Sequence, residues 1–246
     1  MTAANEELAS YKEVWDRKPV LRMVYNDFFQ RIAAQCKTGQ TLEIGGGIGN
    51  LKEILDNVIS SDIQYSPDLD LVADAQNLPF AGQSLSNIVM LDVLHHLEFP
   101  VRFFDEAARV LEPGGRIVMV EPAITPGSSL FYRFIHHEPV DMSADPLVDG
   151  NPDPDRDPYD SNQAIPTLLV TRHLNRVQSR LPTLKLRRVQ WFSFAAYPLS
   201  GGFKPWSVIG ECSARRLLAV EERLEGLFGR LFGFRLAIVF EKSPDQ

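Results

Sequence analysis

Short apolar runs separated by turns and helical segments characterise the first half of the chain. Such runs are typical of parallel strands that are covered on both faces, and they occupy residues 41–44, 57–63, 71–73, 87–91 and 116–121. A helix that begins near Pro100 and a Glu-Pro-Gly-Gly turn at 112–115 separate the last two runs. Strands that alternate with helices in this way predict a doubly wound parallel sheet.

Two amphipathic segments lie outside this region. Residues from about 6 to 36 have apolar positions at helical spacing, with a break or restart at Pro19. A second helix is predicted from Ser213 to Phe232, and strands are predicted on either side of it, at 184–192 and 234–241. The apolar residues of this second helix fall on one face: Leu217, Val220, Leu224, Leu227 and Leu231.

The alternation of strands and helices is not continued between residues 122 and 182. Residues 151–160 are too rich in Pro and Asp for a helix or a strand, so we predict an exposed loop there, followed by a helix at about 164–180. Long loops inside compact domains are often lids or binding elements. We interpret the chain as one domain, 1–246, with a helical segment at 1–36, a core at 41–121, an insertion at 122–182 and C-terminal strands and helix at 183–246.

The composition restricts the classes of partner. A formal net charge of −7 disfavours a nucleic-acid substrate, because phosphate contacts need clustered Lys and Arg. Cys36 and Cys212 are too few for a disulfide framework or a zinc site. The N-terminus has no signal-peptide pattern, and no apolar run approaches the ~20 residues that span a bilayer, so we expect a cytoplasmic protein without stable membrane insertion.

A strand that runs into a glycine turn is the most informative motif. The strand at 41–44 carries one acid, Glu43, and leads directly into Gly45, Gly47 and Gly49. Glycine permits sharp turns and close approach of a ligand, and the apolar spacing at 51–55 predicts a helix after the turn. Such a unit could bind NAD or S-adenosylmethionine. A dinucleotide fingerprint needs glycine at its sixth position, where this chain has Asn50.

Four motifs in order resemble a known family. The segment acid-x-Gly-x-Gly-x-Gly resembles motif I of the class I S-adenosylmethionine-dependent methyltransferases, and their small-molecule, type 11-like branch has segments similar to 74–80, 92–97 and 109–116. The resemblance covers about residues 41–121, a third of the chain. It implies a Rossmann-like, seven-stranded, mostly parallel sheet with an antiparallel last strand, helices on both faces and a lid inserted after the fifth strand.

The resemblance also implies S-adenosylmethionine as the cofactor and assigns residues to it. The glycine turn would meet the amino acid portion, Glu43 would orient the methionine end, and Asp62 would accept hydrogen bonds from both ribose hydroxyls. Asp74 and Ala75 would meet the adenine, with Ile63 covering one face of the base. The full predicted cofactor set is Glu43, Gly45, Gly47, Gly49, Asp62, Ile63, Asp74, Ala75 and Leu91.

One departure from the family pattern concerns the connection between the second and third strands. Only residues 64–70 separate these strands, whereas a crossover normally needs at least ~10–12 residues. We therefore expect a more open edge of the adenine pocket.

The acceptor side is less defined. Transfer would occur by in-line displacement to a small-molecule acceptor, most readily through oxygen or nitrogen, and a protonated acceptor would need a base. His96 and His137 are the candidate bases. The cluster at 136–141 could bind a metal with His95, but methyl transfer from this cofactor needs none, so no metal is assigned.

Three alternatives stay open at this point. The chain could be a cofactor-binding module without turnover, or an NAD(P)-dependent oxidoreductase on a similar sheet. The apolar stretch at 130–135 also suggests an acceptor at a membrane surface, although such stretches are more often core. The sequence does not indicate an oligomeric state.

Overall fold

A seven-stranded sheet forms the centre of the molecule. The computed structural model describes residues 3–134 and 138–244. The strands are β1 (Thr41–Ile44), β2 (Val58–Asp62), β3 (Leu71–Val72), β4 (Leu85–Leu91), β5 (Leu111–Pro122), β6 (Leu184–Phe192) and β7 (Arg235–Lys242). Their order is β3-β2-β1-β4-β5-β7-β6, and β7 pairs antiparallel with both β5 and β6 while the β1–β5 pairs are parallel. The predicted sheet with an antiparallel last strand is confirmed.

Helices cover both faces of this sheet. They are α1 (Ala3–Arg17), α2 (Pro19–Ala33), α3 (Pro100–Val110), α4 (Pro126–Phe134), α5 (Ile165–Val170), α6 (Leu174–Arg180), α7 (Ala196–Ser200) and α8 (Glu211–Phe232). The break before Pro19 occurs as predicted. The single helix expected at 164–180 is instead the pair α5 and α6, because residues 171–173 form a turn between them.

Two hydrophobic clusters fix these layers. On one face, Phe103 and Phe104 of α3 pack with Ile88, Ile117 and other apolar strand residues, and all of these side chains are fully buried. On the opposite face, α2 packs against the alternate residues of the same strands. Each central strand thus buries both of its faces, which explains its continuous apolar pattern.

The helix predicted directly after the glycine turn is absent, and that prediction is wrong. Residues 50–53 form a short 3-10 turn, and the chain reaches β2 after Asn57, whose φ of 56° lies in the left-handed region. Leu51 is buried in the cluster built by α2, so the apolar residue that suggested a helix packs there instead. The connection between β2 and β3 is also short and non-helical, as its length predicts.

No helix within residues 3–134 and 138–244 is long and apolar enough to cross a bilayer.

Candidate functional site

The glycine turn has the backbone geometry that its sequence predicts. Gly45, Gly47 and Gly49 have φ values of 72°, 53° and 74°, in the left-handed region that side chains with a Cβ rarely adopt. A Cβ on Gly45 would lie 2.1 Å from Cγ2 of Val93, and one on Gly49 would lie 2.9 Å from the carbonyl oxygen of Asp68. Both contacts leave no room for a Cβ, so the turn needs glycine at these positions. It lies at the carboxyl end of β1, where ligands bind in open α/β sheets.

Asp62 lies beside this turn at the end of β2. Its Oδ2 accepts a hydrogen bond from the amide of Gly47 at 3.2 Å, and its Oδ1 accepts one from the amide of Gln64 at 3.1 Å. The carboxylate is only partly buried. It thus combines a fixed orientation with access to the solvent side of the sheet edge.

Glu43 lies beneath the glycine turn. Its side chain is buried, and its Oε2 accepts a hydrogen bond from the Ser60 hydroxyl at 2.5 Å. A Cβ on Gly46 would lie 3.0 Å from the same Oε2, so this carboxyl contacts the turn directly. Burial raises the pKa of Glu43 to about 7, while the Ser60 hydrogen bond opposes that shift.

The residues predicted to meet adenine lie further along the same edge. Asp74 is exposed and its Oδ1 accepts a hydrogen bond from the Gln76 amide at 2.8 Å, while Ala75 is buried. Ile63 is half-exposed. Leu91 ends β4 and is partly buried.

The short β2–β3 connection packs against the glycine turn. Leu69 approaches Gly46, and Asp68 approaches Gly49. Lys12 of α1 forms an ion pair with Asp68 at 2.6 Å and thereby connects the N-terminal helix to this connection.

A second polar group lies at the carboxyl ends of β4 and β5 and is deeply buried. The Nδ1 of His95 lies 2.7 Å from Oε2 of Glu121, and the other oxygen of Glu121 accepts hydrogen bonds from the amides of Val93 and Leu94. Burial lowers the pKa of His95 and raises the pKa of Glu121. The imidazole is therefore neutral at pH 7, and its Nε2 points toward Glu138, 3.8 Å from Oε2.

The two histidines chosen from the sequence have different outcomes. His96 stacks on His95 with ring centroids 4.2 Å apart, and its buried Nδ1 has no hydrogen-bond partner within residues 3–134 and 138–244. His137 lies outside the described residues. The carboxylate of Glu121 contacts the imidazole of His95 and not that of His96, the residue predicted as the base.

A buried ion pair adjoins these histidines. Asp92 follows β4 with a φ of 59°, and one of its carboxylate oxygens accepts a hydrogen bond from Nη1 of Arg235 at the start of β7. The guanidinium lies 4.1 Å from the ring centroid of Tyr197 and 5.5 Å from that of Phe28. Burial disfavours the charge on Arg235, but Asp92 reverses this and raises its pKa.

The insertion contacts the histidines through backbone groups. The carbonyl oxygen of His96 accepts a hydrogen bond from Arg156 at 3.0 Å, and that of His95 accepts one from the amide of Asn162 at 2.9 Å. The insertion after β5 therefore covers this edge of the sheet, which is the position expected of a lid.

Some side chains here have the composition of a metal site. Ligand atoms of His95, His96 and Glu138 lie within 4.8 Å of one another, and so do those of Asp92, His95 and Glu121. Both sets share His95, whose Nδ1 already contacts Glu121. The set of His95, His96 and Glu138 is therefore the better arrangement for a divalent cation, because the Nε2 of His95 does not contact Glu121.

Sequence reasoning did not identify Glu121, Asp92 and Arg235 as site residues. Glu121 and Asp92 end their strands, the position already used to choose Asp62. Arg235 is the one charged residue among the first six of an otherwise apolar strand, 235–240. These signals exist, but only the fold shows that the three side chains converge.

Comparison with known proteins agrees with this geometry. Residues 42–119 match the model of a methyltransferase domain family. Residues 42–119, about a third of the chain, are therefore similar to a methyltransferase domain. The match coincides with the predicted core at 41–121 and covers the glycine turn, the predicted cofactor residues and the histidines.

Individual relatives match over limited parts of this chain. Methyltransferase GfsG of Streptomyces halstedii is 34% identical over 86 residues, which are 35% of this chain and 31% of the relative. A demethylmenaquinone methyltransferase of Paenarthrobacter aurescens (strain TC1) is 41% identical over 56 residues, 22% of each chain. The matched regions thus span less than a third of the length of either relative.

A solved structure matches over the whole chain. The SAM-dependent methyltransferase of Thermotoga maritima has a TM-score of 0.55 at 14% identity, with 99% of this chain and 100% of that chain covered. At this identity the likeness concerns the fold, including the C-terminal strands that the family model does not reach.

Proposed function

We propose that this protein transfers a methyl group from S-adenosylmethionine to a small-molecule acceptor, at oxygen or nitrogen, by in-line displacement. The observation that carries the proposal is the left-handed glycine turn with Asp62 at one side and buried Glu43 beneath it. The methyltransferase family match over the same residues supports it. The sixth position of a dinucleotide fingerprint is Asn50, which disfavours NAD.

The residues at this edge fit the proposed cofactor. A Cβ at Gly45 or Gly49 would collide with Val93 or Asp68, so glycine permits the turn whose backbone groups would meet the amino acid portion. We assign Asp62 to the ribose hydroxyls, since a carboxylate offers two acceptor oxygens to two vicinal donors. Asp74, Ala75 and Ile63 would bind the adenine, and Glu43 would hold the methionine end.

Methyl transfer then needs little covalent chemistry from the protein. S-adenosylmethionine, when bound, supplies an electrophilic methyl group. The protein holds the acceptor in line and excludes water, and the insertion over His95 and His96 is suited to that role.

We propose His95 as the proton acceptor for an acceptor hydroxyl or amine. In the tautomer with the proton on Nδ1, which Glu121 would accept, the Nε2 lone pair faces Glu138, 3.8 Å from its Oε2. Burial keeps the imidazole neutral, and the carboxylate of Glu121 would stabilise the imidazolium when a proton arrives. His96, whose ring lies beside that of His95, is the second candidate, and it is one of the two that the sequence suggested, with His137.

Thermal unfolding with added ligands tests the cofactor assignment. A ligand present at 100 times its Kd stabilises the folded state by about 2.7 kcal/mol, which raises the Tm of a domain of this size by roughly 5–10 °C. We expect this rise with S-adenosylmethionine and S-adenosylhomocysteine, and none with NAD or NADP. A rise with NAD alone would refute the assignment.

Product detection tests catalysis separately. Incubation with S-adenosylmethionine and a panel of phenols, alcohols and amines should yield S-adenosylhomocysteine with at least one acceptor. Binding without product from any acceptor would favour a cofactor-binding module that does not turn over.

A further inference from the structure

The long helix α8 exposes an apolar stripe that the predicted core does not use. Its fully buried residues are Ala214, Glu221 and Gly229, whereas Leu227 is 74% exposed. Residues spaced by three or four on a helix share a face. The exposed members of this stripe are Val220, Leu224, Leu227 and Leu231, followed by Phe232 at the end of the helix.

A basic stripe runs directly beside it. Arg216, Arg223 and Arg230 are spaced by seven residues, so they lie on one line along the helix, and all three are exposed. None of them forms a salt bridge with the described part of the chain. The acids Glu222 and Glu225 of α8 lie on other faces, and Glu225 pairs with Arg31.

Helix α4 extends the same apolar surface. Leu130 and Phe134 are 62% and 73% exposed. Gly127 packs against Leu231 and Phe232, which joins the two helices. An apolar groove of about 440 Å³ lies at this junction; its lining residues are Gly127, Phe194, Ala195, Leu224, Phe228, Phe232 and Phe234.

We propose that this surface, the exposed stripes of α8 with Leu130 and Phe134, docks on an anionic lipid bilayer. Isolated apolar side chains on a surface are ordinary, but a continuous stripe on two adjacent helices indicates a binding face. Apolar residues flanked by arginine alone are typical of helices that lie in the interface of a charged membrane. The local basic stripe contrasts with the formal net charge of −7.

The charges favour a membrane over a second copy of the chain. If two α8 helices packed along the apolar stripe, the rows of Arg216, Arg223 and Arg230 would lie beside the seam without acidic partners from the same stripe. Unpaired like charges at such positions oppose pairing. An anionic surface instead pairs with every arginine at once.

The surface is also next to the carboxyl edge of the sheet. Phe232 leads through Gly233 and Phe234 to Arg235, which pairs with Asp92. Docking through α8 would therefore hold the histidine-bearing edge near the membrane. The docking proposal does not depend on the proposed methyl transfer, since it rests on a different face.

Vesicle flotation of the full chain tests the proposal. Wild type should float with vesicles that contain phosphatidylglycerol, at least tenfold more than with pure phosphatidylcholine, and added salt should reduce that ratio. Each of Arg223→Glu and Arg230→Glu should reduce binding by at least about fivefold, given about 1 kcal/mol per basic residue near such a surface. Leu227→Ser should also reduce binding, because it removes an exposed apolar anchor.

Arg215→Glu is the matched control, because Arg215 is exposed on the same helix but faces a groove lined by Trp15 and Asn50. It should bind vesicles like wild type. Circular dichroism of all variants should match wild type, since every substituted residue is exposed. No flotation of wild type, or equal loss in Arg215→Glu and Arg223→Glu, would overturn the proposal. So would a wild-type dimer in sedimentation that Leu227→Ser dissociates, because the apolar stripe would then be a dimer seam.

Discussion

The two halves of the carboxyl edge of the sheet are built differently. At β1–β3 two acids are accessible, since Asp74 is exposed and Asp62 is partly buried, and both accept hydrogen bonds from nearby amides, whereas Glu43 is buried beneath the turn. At β4, β5 and β7 the charged groups are almost fully buried, as Glu121 and Arg235 show. An accessible carboxylate suits a polar ligand that arrives from solvent. A buried network is suited to holding a neutral imidazole in one orientation.

The difference supports the proposal that the two halves of this edge have different functions. The first half, the cofactor edge, comprises the glycine turn with Asp62 and Asp74. The second half, the acceptor edge, comprises His95, Glu121 and the pair of Asp92 with Arg235. Loss of the accessible Asp62 at the cofactor edge should affect cofactor binding, whereas losses at the acceptor edge should affect stability or turnover.

Removal of the buried cation should have the largest effect. Arg235→Met leaves Asp92, whose side chain is 26% exposed, without its partner; an unpaired buried charge costs about 3–5 kcal/mol, and partial exposure places the loss at the lower end of this range. Urea unfolding should show a loss of this size in the free energy of unfolding. The double variant Asp92→Leu with Arg235→Met should recover most of it, because no buried charge remains. A single variant within about 1 kcal/mol of wild type would show that the buried pair has little structural role.

Glu43 should make stability depend on pH. Its pKa of about 7 lies above the ordinary value of 4.5, so the folded state holds the proton more tightly and stability falls as pH rises between these values. The loss should approach about 3 kcal/mol relative to Glu43→Gln when urea unfolding is measured from pH 5 to pH 8. Glu53→Gln, at an exposed position near the same turn, is the control. Parallel profiles for wild type and Glu43→Gln would contradict the prediction.

Gly45→Ala should lower stability by about 1–3 kcal/mol, since alanine must adopt a φ of 72° and its Cβ would meet Val93. Gly226→Ala is a useful contrast, because a Cβ there meets nothing within 4 Å. In the interior of α8 it should raise stability by about 0.5–1 kcal/mol. Thermal unfolding distinguishes the two, and equal shifts of the same sign would refute the requirement for glycine at position 45.

Lys12→Ala should have the smallest effect. The ion pair with Asp68 is exposed, and such pairs contribute little. We expect a change of at most about threefold in the Kd for S-adenosylmethionine. A tenfold change would mean that α1 has a larger role at the cofactor edge than one surface ion pair.

The sequence predicts the glycine turn and the strands beside it well because the signals are local. Gly45, Gly47 and Asp62 lie within eighteen consecutive residues, from 45 to 62, and their strand-turn context is visible in the apolar pattern. The seven strands follow from similar patterns. The helix expected at 51–55 was wrong because α2, a distant segment, already covers that face of the sheet and accepts Leu51.

The acceptor edge could not be predicted from local sequence signals. Asp92 and Arg235 meet across 143 residues of sequence, and His95 and Glu121 across 26. Only the strand order places β5 between β4 and β7 and brings these side chains together. The exposure of the apolar face of α8 could not be predicted for the same reason. Helical spacing predicts an apolar stripe, but it does not predict which segment covers that stripe.

Calorimetric titration with S-adenosylmethionine tests the division between the two edges most directly. Wild type, Asp62→Ala and His95→Gln would be compared, with circular dichroism as a check on folding. We predict that Asp62→Ala weakens binding by at least tenfold, since hydrogen bonds to a charged group contribute about 1.5–3 kcal/mol. His95→Gln should keep the wild-type Kd within about threefold, because His95 belongs to the acceptor edge. Unchanged binding in folded Asp62→Ala, or equal losses in both variants, would contradict the account.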